Sequence, residues 1–140
     1  ISIQIALEAL SYIILVEKEG LLDDEQFDQN NASKNIKLVL NACNIPHGSD
    51  ELELFDDWIR GKFDDGVDLV IYFRNKIVHP VRKDNRANLT VEDMWNIIQI
   101  GTKYIELIVL SFIGYKGEYS NRLKERWFGE VEVVPWNKLD

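Results

Sequence analysis

A single cysteine, Cys43, rules out an internal disulfide, and with only His47 and His79 as further soft ligands the chain cannot complete a structural zinc site. One thiol and no pairing also make a reducing cytoplasm the expected compartment. Three prolines and eight glycines in 140 residues are too few for a fibrous or disordered chain. Long uninterrupted apolar runs are missing as well. The stretch from Ile1 to Val16 is broken by Ser2, Gln4, Glu8 and Ser11 and has no basic leader, and the stretch from Ile97 to Ile113 carries Lys103 and Glu106. Neither reads as a signal peptide or a membrane span. A basic excess is absent too: 24 acids against 16 Lys and Arg leave a net charge of −8, which excludes a general nucleic-acid coat protein. No Gly-rich phosphate loop, carboxylate metal cluster or cysteine nucleophile is visible, so neither metal nor cofactor is expected.

What remains is a soluble composition of a length that fits one domain, residues 1–140, with a single core. The first residue is Ile1 rather than Met, and the chain reads as the C-terminal part of a longer protein with a regulatory region upstream. Residues 114–140 read as an extension of the domain.

The apolar pattern has helical period almost throughout and predicts five helices. The first spans about Ser2 to Glu19 and stops at Gly20. The second runs from about Asp28 to Cys43, with Ala32, Ile36, Val39, Leu40 and Cys43 toward the core, and ends before Pro46. A short third opens at Ser49 or Asp50 and ends near Gly61. The fourth follows Asp64-Asp65-Gly66 and must end at or before His79, because Pro80 disfavours helical geometry at the residue before it. The fifth starts after Thr90, which forms a capping-box pattern with Asp93. Its residues Val91, Met94, Trp95, Ile98, Thr102, Ile105, Val109 and Phe112 read as one long face packed on the core. Beyond Gly114 a short helix is expected around Asn121 to Trp127, then an extended segment at Glu130 to Val134. The expected fold is therefore an all-α, up-and-down bundle of four to five helices with a short irregular tail.

The fourth helix carries the chemistry. In Arg74-Asn75-Lys76-Ile77-Val78-His79-Pro80, a guanidinium and an imidazole stand about one and a half helical turns apart. The first is a permanent cation able to hold a phosphate through two hydrogen bonds, and the second titrates close enough to neutrality to move a proton. At about 100° per residue, Arg74 falls on the apolar stripe of Val67, Val70, Ile71 and Val78, where an unpaired charge is costly. A carboxylate elsewhere in the fold, a phosphate, or another subunit would satisfy it. His79 at a helix end is favoured in its protonated form, which suits a general acid, and Asn75 can hydrogen-bond the imidazole or a substrate. The plain alternative for His79 is a histidine bound to a backbone carbonyl, and His47 is given that structural role. From Arg74 to Arg86, five cations (Arg74, Lys76, Arg82, Lys83, Arg86) face one acid, Asp84, a local charge of +4. Lys76, Arg82, Lys83 and Arg86 are the candidates for guiding an RNA backbone. Lys116, Arg122, Lys124 and Arg126 of the tail can add to them.

Arg74-Asn75-Lys76-Ile77-Val78-His79-Pro80 resembles the signature of HEPN domains, an arginine and a histidine with four to six residues between them. The tail from Gly114 to Trp136 looks similar to the C-terminal end of HEPN proteins in bacterial anti-phage abortive infection, such as the ApeA type. The resemblance implies a helical domain that dimerises through the motif helix and cuts RNA, tRNA among the candidates, without a metal. In that reading Arg74, Asn75 and His79 are the catalytic residues. The alternative is a non-catalytic helical dimerisation or nucleotide-binding module.

Overall fold

The computed structural model describes residues 2–78, 89–123 and 131–137. Six α-helices dominate the described residues: α1 Ser2–Tyr12, α2 Asp24–Gln29, α3 Ala32–Ala42, α4 Asp57–Lys62, α5 Gly66–Val78 and α6 Val91–Phe112. Strands β1, Glu118–Tyr119, and β2, Glu132–Val133, pair antiparallel with Glu118 opposite Val133. The all-α class expected from the periodicity is what the chain adopts.

Four helices close on one another: α1 packs on α3 and α6, and α5 packs on α6 and α3. Each presents an apolar stripe to the shared core, which includes Leu7, Ile36, Val39, Leu40, Val67, Leu69, Ile97, Ile100 and Leu107. The stripe of α5 sets the position of Arg74, so the core fixes the site's frame. Gly101 lets α1 approach α6 closely, since a methyl group there would collide with Ile3.

Several boundaries follow the sequence signals. The first helix continues from α1 through a wider π-helical turn, Ile13–Lys18, and stops before Gly20, whose φ of +62° is the left-handed geometry glycine adopts readily. Thr90 and Asp93 form the expected capping box at the start of α6, each side chain accepting from the other's backbone N–H. Helix α5 is helical through Val78.

Other expectations fail for identifiable reasons. The second predicted helix begins earlier and is split in two, because Asp23 caps α2 with Gln26 and Asn31 caps α3 afresh. The third is a 3₁₀ turn, Ser49–Leu54, then an extended and buried Phe55, then α4. The largest difference concerns α6. Its buried residues are Asp93, Ile97, Ile100, Gly101, Tyr104, Leu107 and Ile108, whereas Val91 (80% exposed), Trp95 (61%), Ile98, Val109 and Phe112 lie at the surface. Two apolar stripes run along this helix with the same spacing, and periodicity alone cannot choose between them. In the tail, Asn121–Leu123 forms a turn and the rest of the helix expected there lies outside the described residues. Val134 is buried beneath the strand pair, and Trp136 donates to the Tyr115 carbonyl at 2.6 Å.

Candidate functional site

Helix α5 has polar residues at both ends, and the two ends are treated differently. At its N-terminus Asp65 is buried. Its Oδ1 accepts from the Asp68 N–H at 3.1 Å, capping the first turn, while Oδ2 bonds His47 Nδ1 at 2.9 Å. Nε2 of His47 in turn meets Asn41 Oδ1 at 2.8 Å. Lys37 reaches both Asp68, at 3.0 Å, and Asp65, at 3.6 Å, and Ser33 donates to Asp68. Burial works against the Lys37 ammonium, but the Asp68 hydrogen bond and the Asp65 charge outweigh it and raise its pKa. His47 thus bonds two side chains, Asp65 and Asn41, rather than the backbone carbonyl expected of it.

Beside Gly66, Tyr104 donates to Glu51 Oε2 inside the core. Gly66 packs beneath both, where a methyl group would stand 2.7 Å from Tyr104 Oη and Ile100 Cγ2. Burial pushes the Glu51 carboxyl up to about 7, against the opposing pull of the Tyr104 hydrogen bond and Lys103.

Toward the C-terminus of α5 the pattern reverses. Arg74 is half-buried, and its Nη1 donates to Asn75 Oδ1 at 3.1 Å. No carboxylate among the described residues pairs with it. Val70, Phe73, Arg74 and Ile77 of α5 line one wall of a cavity of about 290 Å³, with Ser2, Ile3 and Gln4 of α1 and Ile97 and Ile98 of α6 opposite. This is the apolar setting the helical wheel assigned to Arg74. Of its three possible partners, the carboxylate is not found among the described residues. A half-buried guanidinium with most of its donors unused by the described residues, at the rim of an apolar cavity, is suited to gripping an anion.

The remaining predicted site residues are distributed as follows. Asn75 is exposed and adjacent to Arg74 in space. Lys76 projects to the far side of α5, roughly 160° from Arg74, where its Nζ lies 5.8 Å from the Tyr72 ring centroid and Lys62 lies over the same ring at 4.6 Å. His79, Arg82, Lys83 and Arg86 lie outside the described residues. Arg122 of the tail is engaged with Glu106 and Gln99 on α6, Lys116 is exposed, and Lys124 and Arg126 lie outside the described residues. Gln4 was not singled out by the sequence except as a polar interruption of an apolar stretch. That interruption was its signal, because it is only 6% exposed and its Oε1 has no hydrogen-bond partner among the described residues.

No helix among the described residues is long and apolar enough to cross a membrane. Among known proteins, the family described as the YopA C-terminal domain matches residues 1–133. The chain is 34% identical over 142 aligned positions to the SPbeta prophage-derived uncharacterized protein YopA of Bacillus subtilis (strain 168). The alignment takes in 100% of this chain and 31% of that protein, so the chain spans about a third of its relative's length. No solved structure matches. These matches overturn the HEPN resemblance, including its ApeA-type variant: the family matched along nearly the whole chain is a different one, and no HEPN family matches. Two fixed residues with four between them are too short a pattern to specify a family on a basic helix.

Proposed function

The chain belongs to the YopA C-terminal domain family, and on that premise we propose that it is an RNA-binding domain that cuts the phosphodiester backbone without a metal. The observation that supports this most is the state of Arg74: half-buried, bonded to Asn75, and without a carboxylate among the described residues. Its unused donors suit a phosphate, and they suit still better the added negative charge on phosphorus as a bond forms to it.

The reaction is a transesterification. The ribose 2′-oxygen attacks the adjacent phosphorus, the bond from phosphorus to the 5′-oxygen breaks, and the products are a 2′,3′-cyclic phosphate and a free 5′-hydroxyl. One proton leaves the 2′-hydroxyl and one is delivered to the departing 5′-oxygen. His79 carries one of these, and a second copy of the chain, docked through the same helix, brings another His79 for the other. Arg74 holds the phosphate, Asn75 orients the guanidinium, and Arg82, Lys83 and Arg86 attract the backbone. This role is consistent with a net charge of −8 only if the positive field is focused locally. Cutting cellular RNA would serve as a toxin-like or anti-phage defence in the cytoplasm, under the control of the longer protein.

The second reading is a non-catalytic dimerisation or nucleotide-binding module, which the exposed apolar stripe of α6 favours. One assay separates the two. Purified protein is incubated with tRNA and with mixed RNA in EDTA, beside Arg74→Ala and His79→Ala. Cleavage by the wild type, ending in cyclic phosphate and lost in both variants while the oligomeric state is kept, is the expected result. Absence of wild-type cleavage, or equal activity in the variants, leaves the binding module.

A further inference from the structure

The cavity beside Arg74 has a chemistry of its own. Six of its lining residues, Ile3, Val70, Phe73, Ile77, Ile97 and Ile98, are apolar, and they come from three different helices. At about 290 Å³ it sits just under the range of roughly 300–1,000 Å³ typical of small-molecule sites, room for one flat ring system. Three polar residues, Ser2, Gln4 and Arg74, interrupt the apolar lining, and two of them set its chemistry. One is the Arg74 guanidinium. The other is Gln4, whose Nε2 donates to Glu8 Oε2 at 3.3 Å while its Oε1 receives no hydrogen bond from the described residues.

That amide cannot be relieved by exchanging its two ends. Turning it over would set its oxygen against the Glu8 carboxylate and leave an N–H unpaired in the same place. A buried carbonyl oxygen lacking a donor is a costly arrangement that native proteins seldom keep. A ligand bringing an N–H into the cavity supplies what is missing.

We infer that this cavity is a nucleobase pocket, which takes the base of a single-stranded nucleotide whose phosphate lies on Arg74, with a base N–H donated to Gln4. The inference rests on the phosphodiester reading above and names the part of the substrate that reading leaves open. A fatty acid matches the apolar walls and the cation but has no donor for Gln4. A free phosphate matches Arg74 and leaves the apolar space unused. A nucleotide satisfies all three features. Because a base must leave its stack to enter, the pocket selects unpaired RNA over duplex.

The test is equilibrium binding of the four nucleoside 3′-monophosphates, ribose 5-phosphate and inorganic phosphate to the whole chain and three variants. The best nucleotide is expected to bind at least tenfold more tightly than ribose 5-phosphate, and Arg74→Ala to weaken both. Gln4→Leu should reduce that tenfold advantage several-fold while the melting temperature holds or rises, because it removes an unsatisfied oxygen at similar volume. A residue with a purely structural role would not separate these two readouts. If Gln4→Leu does not fold, Ile77→Trp, at a position half exposed on the cavity rim, is expected to erase the advantage by filling the entrance. Equal binding of nucleotide and ribose phosphate, both dependent on Arg74, overturns the base pocket and leaves the phosphodiester reading standing. No binding of any probe, together with uncut RNA, overturns both.

Discussion

The two ends of α5 are made of similar residue types and solve opposite problems. At the N-terminal end three carboxylates are answered from within the protein: Asp65 by His47, Lys37 and the first turn of the helix, Asp68 by Ser33 and Lys37, Glu51 by Tyr104. Toward the C-terminal end Arg74 is bonded to Asn75, and it lines the same cavity as Gln4, whose Oε1 finds no donor among the described residues. A closed network of this kind holds helices in place, and removing one member strands the others. An open arrangement adds little to the fold and is retained for something outside it. Glu51 is the partial exception on the closed side, since its Oε1 is unpartnered. Its carboxyl, pushed up to about 7, is mostly neutral below neutrality and so avoids placing a bare charge in the core.

The contrast can be broken most forcefully at Asp65. Asp65→Ala leaves His47 Nδ1 without its partner, removes one of the two carboxylates on Lys37 and uncaps α5, and is expected to cost about 3 kcal/mol of unfolding free energy, measured by urea denaturation. A loss below about 1 kcal/mol would mean the closed end is not what anchors the helix.

Glu51 gives a pH signature of the closed end. Its folded pKa, about 7, lies above the ordinary value of 4.5, so between those values the folded protein binds more protons than the unfolded chain. Stability from this group is therefore complete below about pH 4.5 and declines as pH rises through 7, by up to about 3 kcal/mol. Tyr104, Lys103, Asp65 and His47 face the same group. Denaturation midpoints of wild type and Glu51→Gln across pH 5 to 8.5 check it: the wild type should weaken with pH, and the variant should follow a visibly flatter curve.

Arg74 lies at the small end of the scale. Arg74→Ala removes the hydrogen bond to Asn75 and part of an apolar stem, and should change the unfolding free energy by less than about 1 kcal/mol. Replacement by Lys keeps the charge but loses the planar fork, so phosphate binding should fall while stability again stays put.

How much of this could be read from the sequence depends on range. Gly20, the Thr90 and Asp93 pair, and Asp65 before Gly66 act within one turn, and their positions as helix ends were legible. Arg74 on an apolar stripe was legible too, because it follows from helical geometry alone. The buried face of α6 was not, since Ile97, Ile100, Tyr104 and Leu107 compete with Trp95, Ile98, Ile105 and Val109 at the same period, and only the packing of α1 over Gly101 decides. Tyr104 and Glu51 are 53 positions apart, and His47 meets Asp65 across a loop, so neither contact leaves a local trace. Family membership was not legible in the Arg74 to His79 spacing, which is shared by unrelated helices.

The most direct test of the central claim pairs two readouts on a single preparation of Arg74→Ala: urea unfolding and the rate of RNA cleavage in EDTA. Unfolding within about 1 kcal/mol of wild type and cleavage reduced at least a hundredfold are expected. A variant that loses several kcal/mol of stability, or one that cuts RNA as fast as the wild type, would contradict that claim.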